Sequence, residues 1–303
     1  MVTITRAGAL ALATLLLFAA SAAAKPTGYP VSIKTASGTV TLAAQPTRIV
    51  SLSPTATEDL FAIGAGSQVV AVDSDSNYPA NAPITKLSAY TPNAEAIAGY
   101  KPDLVIASYD THGLVASLQK LKIPVLLQGT AASLTDAYSQ INQLGAATGR
   151  TAAATALVAK MKTQIASIAR TVPKPKTPLT VYDELGTDYY SVTSKTFIGG
   201  LFKLLGLKDI ADAADKTHSG YPQLSAEYIV AANPDLIVLS DTKCCGQTAA
   251  KVKARPGWST IAALSNGGIV PMNDDIASRW GPRIVDFIRQ IAAKVTALVK
   301  AGK

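Results

Sequence analysis

The sequence predicts an α/β protein of two lobes with parallel sheets, bridged by one long α-helix. Three observations carry that prediction. Short apolar, β-branched runs alternate with helical stretches along most of the chain. The phrase YKPDLVIASYD at residues 100–110 returns nearly unchanged as ANPDLIVLSDT at 232–242. Between the two copies, residues 149–178 form an alanine-rich run with no proline, and no glycine after Gly149, until VPKPKTP ends it. At 303 residues and 48% hydrophobic content, the chain can fill the cores of two domains.

The first segment, MVTITRAGALALATLLLFAASAAAKPTG, has one basic residue, Arg6, then an apolar run from Ala9 to Ala20, then small residues with Ala22 and Ala24 in an A-x-A pattern. It reads as a secretory signal peptide, 1–24, cleaved near Ala24–Lys25. The apolar run is shorter than the roughly 20 residues that span a bilayer. The expected product is secreted or periplasmic. With no cysteine near the cleavage point, it is expected not to be a lipoprotein.

The N-terminal lobe is placed at 25–148. YPVSIKTASGTVTL (29–42) alternates apolar and polar residues about Ser37-Gly38 and predicts a leading β-hairpin. RIVSL (48–52) is a strand. In SPTATEDLFAIGAG (53–66) Ser53 can cap a helix, Pro54 suits its first turn and Gly64 stops it. QVVAVD (68–73) is a strand, and NAEAIAGYK (93–101) is a helix leading into the strand DLVIAS (103–108). GLVASLQKLK (113–122) and IPVLLQG (123–129) repeat the alternation.

The interlobe helix is placed at 149–172, with Leu157, Met161, Ile165 and Ile168 on one face. The C-terminal lobe, 173–303, uses the same grammar: LTVYDEL (179–185) is a strand and TFIGGLFKLLG (196–206) a helix. SAEYIVAANPD (225–235) leads into the strand LIVLS (236–240), RPGWSTIAALSNGGIVPMN (255–273) holds a helix and a strand, and a last helix starts near Gly281. The spacing of the repeat is far above that of solenoid arrays, so it marks a duplicated fold.

Lysine and arginine outnumber aspartate and glutamate 28 to 20, yet the basic residues are scattered, which points to a soluble basic surface and no nucleic-acid partner. The chain's two cysteines, Cys244 and Cys245, are adjacent. Their Cα atoms must lie about 3.8 Å apart, below the usual disulfide range, so a vicinal disulfide and two free thiols both stay open.

The ordered set QPTRIVSLSPTATEDLFAIGAGSQVVAVD, NYP, NAEAIAGYKPDLVIAS and SAEYIVAANPDLIVLS resembles the iron-chelate and cobalamin periplasmic-binding family, the class III solute-binding proteins of ABC importers, over roughly residues 29–298. The resemblance implies two Rossmann-like lobes bridged by a rigid helix. It further implies a metal-chelate ligand in the cleft, and partners consisting of a membrane permease dimer and its ATPase. One glutamate on each lobe docks on that permease in the family, and the matching residues here are Glu95 and Glu227. Each also suits the first turn of its own helix through the macrodipole. The protein is expected to act as a monomer with no cofactor of its own.

Ligands of open α/β sheets sit outside the carboxyl ends of the strands. That rule selects loops carrying Tyr90, Tyr109, Tyr189, Tyr190, Tyr221 and Trp280, a concentration of rings in a chain that is only 6% aromatic. Some of these rings are expected to close small cores instead. Arg279 is the leading polar candidate for oxygens of a ligand, and Arg283 is expected to cap the lobe surface. Asp75 in DSDSNYP, where an aromatic residue would favour a corrinoid, tilts the expectation toward a ferric siderophore or other iron complex, with a corrinoid second. The leading hairpin tilts it the same way. The chain's two histidines, His112 and His218, fall in these loops and are candidate haem-iron ligands. No G-x-S-x-G, Walker or HExxH motif is present, and two histidines cannot form a His₃ zinc site, so an enzyme and a bare-metal binder are disfavoured.

Overall fold

The computed structural model describes residues 28–35 and 38–302; the expected signal peptide, 1–24, and Ser37 of the expected hairpin turn lie outside the described residues. An antiparallel hairpin pairs β1 (Val31–Thr35) with β2 (Gly38–Leu42). The first sheet follows, with β3 (Ile49–Leu52), helix α1 (Pro54–Ala62), β4 (Val69–Asp73), β5 (Ile84–Leu87), helix α2 (Ala94–Gly99), β6 (Leu104–Ala107), helix α3 (Leu114–Lys120) and β7 (Val125–Leu127). Its strands are parallel in the order β5-β4-β3-β6-β7. Strands β3 and β6 are buried at every position, as apolar runs must be when both faces of a sheet are covered.

Two helices leave this sheet, α4 (Leu134–Thr148) and α5 (Thr151–Thr171). The second sheet is built from β8 (Thr180–Glu184), helix α6 (Phe197–Leu204), β9 (Lys208–Asp209), helix α7 (Ala226–Ala232), β10 (Leu236–Leu239), short helices α8 (Ala249–Lys253) and α9 (Ala262–Ser265), and β11 (Ile269–Pro271). A one-turn helix α10 (Asp274–Ala277) and the long α11 (Ile284–Lys300) close the chain. The strands are again parallel, in the order β11-β10-β8-β9. The fold is therefore two parallel-sheet lobes bridged by one long helix.

The repeated Pro-Asp phrase has a structural cause. Asp103, just before β6, accepts hydrogen bonds from the backbone N–H groups of Thr47 and Arg48 at 2.7 and 2.9 Å, at the start of β3. Asp235, just before β10, accepts from the N–H of Thr180 at 3.0 Å, at the start of β8. Each aspartate ties the amino ends of two neighbouring strands together and so sets their register.

Helix α4 is an element the sequence reading did not anticipate. Ser133 caps it, accepting from the Asp136 N–H at 3.2 Å, and Ala137, Tyr138, Ile141 and Leu144 form its buried face. It packs against α5 so closely that a Cβ on Gly145 would fall 2.4 Å from the Ala154 Cβ. That contact moves the amino end of the buried stripe of α5 to Ala154 and Val158, while Met161 and Ile165 are buried as expected. Ile49 and Leu60 of the first lobe, Met161 and Ile165 of α5, and Phe202 and Phe287 of the second belong to one apolar cluster. The bridging helix is thus a shared wall of both cores, not a tether.

Gly199 sits in the first turn of α6, where a Cβ would lie 1.9 Å from the Thr193 carbonyl oxygen, whereas Gly200 has open space. Gly199→Ala is expected to destabilise the fold by about 1–3 kcal/mol in urea unfolding. Gly200→Ala, its control, should stabilise by about 0.5–1 kcal/mol.

Candidate functional site

Each lobe reverses its winding direction once, between β3 and β6 in the first and between β8 and β10 in the second. Crevices outside the carboxyl ends of the strands at such points are where α/β sheets bind ligands. At the first, Ser53 caps α1 and accepts a hydrogen bond from the Ser108 hydroxyl at 2.7 Å. Behind them Thr57 bonds Ser51 and Ser76 at 2.9 and 3.0 Å. A cavity of about 780 Å³ opens between the lobes. Ser53, Thr55, Asp73, Asp75, Asn77, Tyr90, Ser108 and Tyr109 line it from the first lobe. Lys243, Cys244, Asp274, Asp275, Arg279 and Trp280 line it from the second.

The floor of this cleft is a buried network of charges that crosses between the lobes. Arg279 donates from its terminal nitrogens to Glu58 Oε1 at 2.9 Å, Asn77 Oδ1 at 3.0 Å, the Asp75 carbonyl at 2.8 Å and Asp275 Oδ1 at 2.8 Å. Arg283 clamps the same Glu58 from Nε and Nη2 at 2.8 and 2.6 Å and lies 4.3 Å over the Tyr78 ring. Lys243 and Asn77 both reach Asp275 Oδ2, at 2.6 and 3.0 Å. Burial alone would raise the Asp275 carboxyl, but Lys243 and Arg279 hold it below the usual carboxylate range.

These contacts correct two expectations. Arg279 is not a free anion-binding group, because all four terminal N–H bonds are already used by protein acceptors. Arg283 does not cap the surface; Glu58 draws it into the interlobe seam. Glu58, the hub, escaped the sequence reading because a glutamate in a capped helix looks solvated. The available signal was Arg279 and Arg283 four residues apart in the loop before the last helix, two cations in need of one buried acid.

The aromatic candidates divide. Tyr90 and Tyr109 line the cleft, 64% and 41% exposed, with their rings stacked at 6.2 Å. Trp280 lines it too, its indole N–H donating to Gln140 Oε1 of α4 at 2.6 Å. Tyr221 is exposed on the other lobe, near enough for a negative Tyr109 to oppose its ionisation, although burial is the larger cause of its raised pKa. Tyr190 is exposed and bridges to Gln223, outside the cavity lining. Tyr189 does not line the cavity: it stacks 5.8 Å from Trp258 and beside Arg255, closing the core of the second lobe. His112 and His218 are exposed loop residues at φ 56°, and neither lines the cavity. Glu95 and Glu227 are exposed in the first turns of α2 and α7, one on each lobe, and neither forms an ion pair among the described residues. Cys244 and Cys245 are joined as a vicinal disulfide.

A second acidic centre underlies the cleft in the C-terminal lobe. Arg255 clamps Glu184 at 2.5 and 2.6 Å and lies 4.5 Å over Trp258. Burial, followed by the charge of Glu184, pushes Asp183 and Asp241 each up to about 7. Burial pushes Asp209 up to about 8. Among the described residues, no group of three or more His, Cys, Asp or Glu is placed to hold a bare metal ion.

Two α/β lobes facing each other across a lined cleft, with a rigid strut between them, define a solute-binding protein. The chain belongs to the periplasmic binding protein family, whose model matches residues 49–276, and within it to the class of solute-binding proteins that serve ABC importers. It is 33% identical over 278 residues to an ABC transporter substrate-binding lipoprotein of Bacillus subtilis, covering 88% of this chain and 86% of that one. It is 33% identical over 277 residues to a cobalamin-binding protein of Halobacterium salinarum, covering 87% and 73%. Its fold matches a possible iron-binding (periplasmic solute-binding) protein of Staphylococcus epidermidis with a TM-score of 0.70 at 27% identity, covering 83% of this chain and 99% of that one. The name of the Bacillus relative overturns the expectation that the chain is not a lipoprotein.

Removing Glu58 would leave two buried guanidiniums short of their shared acid, so Glu58→Ala is expected to cost about 3–5 kcal/mol in urea unfolding. The raised carboxyls set a pH trend. Asp183, Asp209 and Asp241 hold protons in the fold that the unfolded chain releases near pH 4. Their contribution is full below about pH 4 and is lost as pH rises toward 8. The urea midpoint should therefore fall between pH 5 and pH 8, and Asp183→Asn should flatten that fall.

Proposed function

We propose that the chain captures a corrinoid in the interlobe cleft and delivers it to an ABC permease. The observation that carries the choice of ligand is the charge of the cleft. Asp75 lines it as an exposed acid outside every ion pair among the described residues, Asp73 is buried, Asp274 is taken up by the Lys243 and Cys244 amides, and the two cations that line it, Lys243 and Arg279, are both paired with Asp275. A ligand with anionic arms, such as a ferric catecholate, ferric citrate or haem with its propionates, would meet the Asp75 carboxylate with no unpaired lysine or arginine in the lining. A corrinoid presents carboxamide N–H donors around its rim and a broad apolar face. Carboxylate and serine acceptors suit the first, and Tyr90, Tyr109 and Trp280 suit the second. The volume is within the range of small-molecule sites and far above that of a bare ion.

The cobalamin-binding relative from Halobacterium supports the same choice. The expectation of an iron complex rested on the leading hairpin and on Asp75 as a missing aromatic. Asp75 instead offers its backbone carbonyl to Arg279, so the position serves the interlobe floor. Docking is assigned to Glu95 and Glu227, which sit exposed at the corresponding helix starts of the two lobes.

Trp258 is fully buried in the second lobe and Trp280 lines the cleft, so tryptophan quenching reports on the cleft. Cyanocobalamin should quench saturably at one equivalent, while haemin, ferric citrate and a ferric catecholate should not. Quenching by one of those anions without cobalamin binding would overturn the corrinoid reading. Tyr109→Ala should weaken cobalamin about tenfold, the loss of roughly 1.4 kcal/mol of ring contact. Glu95→Ala with Glu227→Ala should abolish uptake by cells while leaving the Kd unchanged.

A further inference from the structure

The loop after β10 brings two adjacent cysteines to the rim of the cleft, with Cys244 in the cavity lining and both residues exposed. The disulfide adds to the apolar part of a lining that holds Tyr90, Tyr109 and Trp280 beside carboxylates and hydroxyls. It presents an apolar, polarisable surface with no N–H or O–H donor, whereas two thiols would present weak donors on freely rotating side chains. The loop is also latched. Asp274 accepts from the backbone N–H groups of Lys243 and Cys244 at 2.9 and 2.7 Å. The Lys243 ammonium reaches Asp275, the same carboxylate that Arg279 and Asn77 share across the lobes. The disulfide therefore sits between the ligand space and the interlobe floor, one residue from a side chain that belongs to both.

We propose that the Cys244–Cys245 disulfide is a ligand-contact face of the cleft, and that its reduction by a dithiol lowers affinity by freeing the loop that holds Lys243 on Asp275. The step balances. The S–S bond of Cys244–Cys245 breaks and accepts two electrons and two protons as two thiols, and the dithiol gives up both and closes to its own disulfide. With the bond intact, the covalent ring spanning two neighbouring residues fixes the peptide between them, and less loop entropy is lost when a ligand seats. With the bond broken, the two side chains rotate independently, the flat sulfur face is gone, and the loop is held by its hydrogen bonds to Asp241, Met272, Asp274 and Asp275 without the covalent ring. The inference rests on the chelate-binding reading of the cleft but not on the corrinoid as such.

The test uses the full chain. Thiol titration of the aerobically purified protein under denaturing conditions should find no free thiol, and two after dithiothreitol treatment; two thiols before reduction would overturn the proposal. Cyanocobalamin, haemin and a ferric hydroxamate are then titrated into oxidised protein, and into reduced protein freed of dithiothreitol under nitrogen. The ligand that binds the oxidised form should bind the reduced form at least fivefold more weakly, and reoxidation should restore its Kd. Cys244→Ser with Cys245→Ser should match the reduced form and not respond to dithiothreitol. Equal Kd values in the two redox states would overturn it. If none of the three binds oxidised protein, the chelate reading is what fails, and hydrogen exchange decides the loop. Faster exchange at the Lys243 and Cys244 amides on reduction supports the latch, and unchanged exchange overturns it.

Discussion

One carboxylate holds the two halves of this molecule in register. Glu58, on the first helix of the N-terminal lobe, is buried between Arg279 and Arg283 of the C-terminal lobe and is bonded to both. Taking such charges out of water costs several kcal/mol per ion, so the arrangement is tolerable only because nearly every donor is matched. Arg279 completes the matching with Asn77, the Asp75 carbonyl and Asp275, drawn from both lobes. An apolar seam of the same area could slide; a bidentate guanidinium pair fixes distance and angle together. The width of the cleft, and the seat of Trp280 beside Arg279, follow from that geometry.

The second restraint is the shared core. Helix α5 contributes Val158, Met161 and Ile165 to a cluster that runs from one sheet to the other. A wall common to both cores ties the lobes together through packing as well as through the chain. The polarity of the cleft depends on what lines it. Because the floor consumes both cations of the lining, the cleft presents acceptors and rings to a ligand. Charge pairing that secures the fold has in this way set the polarity of the site.

Much of the fold was legible in sequence because it is local. The apolar runs of β3, β6, β8 and β10, the Ser53-Pro54 start of α1 and the repeated Pro-Asp turn are short-range patterns, and each appears where expected. Elements whose existence depends on neighbours were not legible. Helix α4 has a polar exposed side and two half-buried glutamines that hide its apolar face, and β5, β9 and α10 are too short to show a period. The site follows the same division. Tyr90, Tyr109 and Trp280 could be placed by the rule that ligands lie beyond strand ends, whereas Tyr189 could not be told from them. It sits in the same kind of loop and differs only in having Trp258 behind it.

By itself, the order of residues determined that there are two related parallel-sheet lobes, where their strand ends lie, and that a long helix runs between them. These follow from periodicity, caps and turns, which act over a few residues. Tertiary structure alone decided the role of each charge. Glu58 and Arg279 lie 221 residues apart in the chain, and no local pattern records that they meet. A guanidinium is a ligand-binding group or a structural one according to which acceptors the fold has already placed around it.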